Sequence, residues 1–186
     1  APADWYHASG VLGDYVPITA ERTPRYDDIC DRLVRIIEDR RESVDEFGML
    51  NYGDQWGERG ANWANGEYDH HHTSAQMALR GHEPFRWRQL MRDQARHDHD
   101  VDLCHYHDQT GYIGGSWAHS IGHVGSYVDQ RMEGQYGSPR AGQSPTHTWT
   151  RGTTEYFMLT GDPAGIEAAR TISDHYGGAY INNYDF

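Results

Sequence analysis

The sequence predicts a mainly α-helical fold assembled from antiparallel helical hairpins. Three observations carry that expectation. The stretch "TPRYDDICDRLVRIIEDRRESVDEF" places apolar residues at helical spacing. Two later stretches, "AQMALRGHEPFRWRQLMRDQARHD" and "EYFMLTGDPAGIEAARTISDHY", share one order. Each has an apolar helix end, Gly, a polar residue, a turn, a helix of similar length and a terminal His. Long Gly-rich, aromatic segments separate these regions and read as loops.

Residues 1–22 have no helical period and read as an extended lead-in. Thr23 is a good N-cap and Pro24 a good first helical residue. Ile29, Leu33, Ile36, Ile37 and Val44 fall on one face, which predicts the apolar side of this first helix. Asp27 and Asp28 near its start, and Arg40 and Arg41 further on, suit the helix dipole. Residues 47–66 form a long loop of a length more typical of function than of a linker. A second helix is expected from Asn65 to Leu79, with Gly81 as its left-handed cap. Pro84 opens a third, over 83–96, whose apolar side is Phe85, Leu90, Met91 and Ala95. The Gly–polar–turn–helix order then recurs at Gly161, and His97 and His175 occupy matching places.

Repeated antiparallel helix pairs suggest an α/α toroid or a helical solenoid. The loops follow helix ends and carry most of the Trp, Tyr and His, as a toroid builds a cleft at one rim. The helices are far too few to close such a ring. Residues 23–186 are therefore expected to form a partial barrel that is part of a larger architecture.

Composition narrows the function classes. The chain has 186 residues, enough for one domain with a real core. Its mean hydropathy is −0.89, yet six Trp and thirteen Tyr set it apart from disordered chains. The net charge is −12 and every one of the 16 basic residues is Arg, a bias suggesting a GC-rich or salt-adapted source. So acidic a balance argues against nucleic acid, whose phosphates need a basic face, and against anionic membrane surfaces. Nothing approaches a membrane span of roughly 20 apolar residues. Cys30 and Cys104 are too few for a disulfide scaffold; one bridge and two buried thiols both fit. G-x-S-x-G, the P-loop, H-E-x-x-H and G-x-G-x-x-G are absent, so no nucleotide cofactor is expected.

Four constellations carry chemistry. The first is "RHDHDVDLCHYHD", Arg96 to Asp108. In extended chain, Asp98, Asp100 and Asp102 would face one side and His97 and His99 the other. Carboxylates suit a hard cation and imidazoles a transition metal, so calcium, manganese or zinc is a possible cofactor. Sugar or acid–base contacts, or a wet loop holding no ion, fit the same residues. The second is "EYDHHHTS", where Glu67, His70 and His71 share a helical face, as do Asp69 and His72. At most two of the three histidines can join one site. The third is His119 and His123, four apart, each able to serve as a base near neutral pH or to bond its own loop. The fourth pairs Glu58, Arg59, Trp63 and Asn65 with His147, Trp149 and Arg151. A guanidinium forks onto a carboxylate while an indole stacks on a sugar ring. Core packing is the alternative for both tryptophans.

The order "WYHASGVLG", "NYGDQWGERGANWANGEYD", "RGHEPF" leading into "RHDHDVD", then "HTWTRGTTEYFMLTGDP" resembles the central helical domain of the exo-rhamnogalacturonan lyase-like polysaccharide lyases. The likeness runs from Trp5 onward, and Asn51 to Asp69 is its most specific block. It implies an α/α toroid catalytic domain flanked by β-rich domains, secretion, and β-elimination on a uronic-acid sugar of an acidic polysaccharide or oligosaccharide. Such chemistry needs a base for the proton alpha to the carboxylate, a cation or donor at that carboxylate, and an acid for the leaving oxygen. His119, His123, His147 and Tyr68 are the candidate bases or acids. Arg59 and Arg151 are the candidate carboxylate clamps, with Glu58, Trp63, Asn65 and Trp149 as further substrate contacts. The rival class is a non-catalytic module that binds glycan or assembles with copies of itself.

Overall fold

The computed structural model describes residues 1–10, 12–13, 15–20, 22–43, 55–57, 60–62, 68–106, 113–115 and 149–178. It is mainly helical. In chain order come α1 (Ala3–Ser9), α2 (Pro24–Ser43), β1 (Gln55–Gly57), β2 (Gly60–Asn62), α3 (His70–Arg80) and α4 (Pro84–His97). A π-turn (Asp98–Asp102), α5 (Arg151–Thr160) and α6 (Pro163–Tyr176) follow. No described helix is long and apolar enough to cross a membrane.

The repeat seen in the sequence appears as two helix–turn–helix units. Gly81 ends α3 at φ 98° and Gly161 ends α5 at φ 75°, the left-handed cap conformation that glycine adopts without a Cβ penalty. A proline opens the second helix of each unit, and both second helices have 14 residues. Asp162 caps α6, its Oδ1 accepting from Ala164 N–H at 3.1 Å. α3 also packs on α5, which joins the two units.

The lead-in differs from expectation. It holds α1, closed by a left-handed Gly10 whose N–H donates to His7 O at 3.1 Å. Two turns are too few to show a helical period. The Thr19 hydroxyl donates to Asp4 Oδ1 at 2.8 Å and tethers the helix from outside. Within the expected 47–66 loop, β1 and β2 pair as an antiparallel ribbon, with Trp56 opposite Ala61.

The buried side of α2 is not the one its large aliphatics indicate. Ile29, Leu33 and Ile36 are exposed, while Asp27, Cys30, Val34 and Arg41 are buried. Val44 lies outside the described residues. A polar lock decides the orientation. Asp27 accepts from Thr23 N–H at 2.7 Å, lies 3.4 Å from Arg80 Nη2 and 3.2 Å from His82 Nε2. His82 Nδ1 sits 2.9 Å from Asp31 Oδ1. Burial opposes ionisation of Asp27, but Thr23, His82 and Arg80 together hold its carboxyl below the ordinary value. Turning α2 by a third of a turn would bury Ile29 and Leu33 at the cost of stranding these groups.

The core behind that lock is Cys30, Val34, Met77, Ala78, Trp87 and Leu90, with Ile37 packed on it. A second cluster, Ala75, Met91, Ala95 and Tyr156, joins α3, α4 and α5. Cys30 and Cys104 are both buried free thiols. Among the described residues Trp87 is the largest fully buried side chain. Trp87→Ala is expected to cost about 3–5 kcal/mol in chemical denaturation. A loss under about 1 kcal/mol would show that this cluster does not hold α2 to the helix pair.

Candidate functional site

The site begins at Asp69, which takes a left-handed conformation (φ 51°) and caps α3 by accepting from His72 N–H at 3.4 Å. Its other oxygen accepts from Gly152 N–H at 3.3 Å. One carboxylate thus serves the first turn of α3 and the first turn of α5. A Cβ at position 152 would collide with the His71 ring, the Asp69 carboxylate and the His72 backbone nitrogen. Only glycine permits this approach of the two helices.

The cap sets the phase of the three histidines. His71 points inward and is 2% exposed. Its Nε2 lies 3.2 Å from Thr153 Oγ1 and 3.4 Å from Asp69 Oδ1. His72 points along the rim, with Nδ1 2.6 Å from Glu155 Oε2. The other oxygen of Glu155 accepts from Arg151 Nε at 3.1 Å. The Glu155 side chain is 7% exposed, His72 24% and Arg151 62%. A buried carboxylate therefore orients an imidazole and a guanidinium that both reach solvent.

The π-turn closes the third side. His97 Nε2 lies 3.3 Å from Asp102 Oδ1, and the Asp98 carboxyl is hydrogen-bonded to Thr153. The His99 ring stands edge-on to Tyr156, centroids 5.5 Å apart. Beneath them the Ser74 hydroxyl donates to Gln94 Oε1 at 2.9 Å. His71 Nδ1 and both ring nitrogens of His99 are buried without a hydrogen-bond partner.

Burial pushes the imidazoles of His70, His71 and His99 down to about 4, because a charged ring would lose its hydration. Burial, reinforced by Asp102, pushes the Asp98 carboxyl up to about 8. Burial also raises Asp69. At neutral pH the corner holds neutral imidazoles beside a protonated carboxyl.

The sequence-derived residues divide sharply. His119, His123, His147, Glu58, Arg59, Trp63 and Asn65 lie outside the described residues. Tyr68 is 65% exposed with its ring stacked 5.9 Å from that of His70. Trp149 is 43% exposed and lies two residues before Arg151. The set His97, Asp98, His99, Asp100 and Asp102 is not extended and does not alternate. α4 runs on into the π-turn, where Leu103 N–H donates to Asp98 O at 3.0 Å. His97, His99 and Asp102 are buried and Asp100 is exposed, so the set is split between interior and solvent. Among the described residues, no three His, Cys, Asp or Glu side chains are arranged to hold a metal ion.

Thr153 and Glu155 join the site without having been singled out for it, and His72, paired with Asp69 in the sequence, joins it without having been a candidate base or acid. The signal for His72 was its Asp69 partner three residues back; Glu155 and Thr153 looked like ordinary helix positions. Compared with protein-family models, curated proteins and solved structures, the chain matches none.

Two outcomes are expected. The depressed histidines stabilise fully above about pH 6.5 and lose that contribution as pH falls toward 4; Asp98 stabilises fully below about pH 4 and loses its contribution as pH rises toward 8. Asp98→Asn should therefore raise the melting temperature more at pH 8 than at pH 4, whereas parallel wild-type and variant profiles would mean that Asp98 ionises normally. Gly152→Ala should cost about 1–3 kcal/mol or more by overpacking the α3–α5 contact, and unchanged stability would place the two helices further apart.

Proposed function

We propose that the protein acts on an acidic glycan by β-elimination at a uronic-acid residue, as a lyase whose two helix pairs are units of an α/α toroid. The single observation that carries this reading is the Arg151–Glu155–His72 chain, set at a rim beside exposed Trp149 and Tyr68. Arg151 supplies the cation that the substrate carboxylate requires as negative charge builds there. His72 has one nitrogen fixed by Glu155, which leaves Nε2 as the base for the proton alpha to that carboxylate. Trp149 and Tyr68 offer flat faces to the sugar ring. Tyr68, His119, His123 and His147 remain proposed partners for base or acid work. A calcium, manganese or zinc ion at His97–Asp102 is a further proposal, and no step here runs through it.

A second reading has one observation in its favour. His72, Glu155 and Arg151 already satisfy one another, which suits a non-catalytic module that binds glycan or assembles with its own copies through exposed aromatics. Flanking β-rich domains belong to the resemblance and are proposed on that ground alone.

Activity is followed as absorbance of the unsaturated product on rhamnogalacturonan-type and other uronic-acid polymers. Arg151→Lys keeps the charge but loses the fork, and losing a charge-assisted contact of roughly 1.5–3 kcal/mol should cut the rate about 10- to 100-fold. His72→Ala should cost about 10²–10⁴-fold with binding nearly intact. If the wild-type protein binds these polymers yet releases no unsaturated product, the binding-module reading replaces the lyase.

A further inference from the structure

A cleft opens at the C-terminal end of α5, the end away from Gly152. It has a volume of about 280 Å³ and lies between α1, the end of α3, α4 and the last turn of α5. Tyr6, Met91 and Leu159 line its apolar side, and Arg88 and Arg92 line it from α4. Phe85 stands at its edge, 86% exposed. An isolated aromatic so open to water is normal on a surface; one at the mouth of a cavity with two cations beside it is a binding feature.

The charges decide what the cleft takes. Arg88 and Arg92 are one turn apart on α4, so their guanidinium groups can converge on one anion. Among the described residues no carboxylate pairs with Arg88, whose Nη2 donates to Ala1 O at 3.2 Å. Arg92 Nε is 3.8 Å from Asp93 Oδ1, a loose contact. Both Asp93 oxygens already accept from Gln89 Nε2, each at 2.8 Å. Two underused guanidinium groups in a chain of net charge −12 mark a local reversal of sign. The volume admits one substituted six-membered ring.

We propose that this cleft binds a small ring-bearing carboxylate, with the carboxylate forked by Arg88 and Arg92 and the ring's apolar face against Phe85 and Tyr6. Aromatic acids and sugar acids share that chemistry. The site does not rest on the lyase reading. The residues Arg88 and Arg151 lie on different helices, and α5 is ten residues long, so its two ends stand roughly 14 Å apart at 1.5 Å per residue.

The test is an NMR titration of the full chain with benzoate and galacturonate, each paired with a neutral analogue, benzyl alcohol and galactose. Either acid should bind in preference to its neutral partner and shift the signals of Phe85, Arg88 and Arg92. Arg88→Gln and Arg92→Gln should each weaken binding by about tenfold or more, and Phe85→Ala should weaken it without altering the fold, since that ring is exposed. Tighter benzoate assigns the cleft to aromatic acids and tighter galacturonate to sugar acids. No shift with either acid, equal binding of the neutral compounds, or unchanged affinity in the double arginine variant would overturn the proposal. Loss of lyase activity with this binding intact would overturn only the catalytic reading.

Discussion

The Asp69 carboxylate is the constraint on which the candidate site depends. It accepts from the first turn of α3 and, through Gly152, from the first turn of α5. Two helix N-termini each present unpaired N–H groups and positive potential, and one buried carboxyl group answers both. Buried in the same corner, it also places His71 against Thr153. Without that side chain the first turn of α3, which carries His70, His71 and His72, loses its cap.

From that corner the rest follows in layers. Fixing the start of α3 sends His71 inward and His72 to the rim. The close approach at Gly152 brings Glu155, one turn further along α5, within hydrogen-bond reach of His72. Buried imidazoles stay neutral and Asp98 stays protonated because the surrounding helices exclude water. The outcome is a graded site: neutral imidazoles and a protonated Asp98 around the Asp69 cap inside, and a carboxylate-oriented imidazole and guanidinium at the surface. Such grading separates what holds the corner together from what can meet a substrate.

The helical units were legible in the sequence because local chemistry determines them. Gly81 and Gly161 end helices and Pro84 and Pro163 begin them by backbone geometry alone. The orientation of α2 was not legible. Ile29, Leu33 and Ile36 point to solvent because Asp27 meets Arg80 and His82 at the end of α3, a long-range arrangement that periodicity does not encode. The polar site was half legible. "DHHH" announced a cluster, but which histidine faces inward depends on a left-handed Asp69. The run from His97 to Asp102 read as an extended strip because no local signal marks a π-turn, and its residues are consequently divided between core and solvent.

α3 and α5 are coupled through a buried carboxylate, Glu155, that holds the rim imidazole of His72. A double-mutant cycle on His72→Ala and Glu155→Ala, read as unfolding free energy, tests it most directly. The expected coupling energy is on the order of 1 kcal/mol or more, as for contacting residues in one hydrogen-bond network. Additive effects, with coupling indistinguishable from zero, would contradict it and leave the two helices joined by the Asp69–Gly152 and His71–Thr153 contacts and by apolar packing.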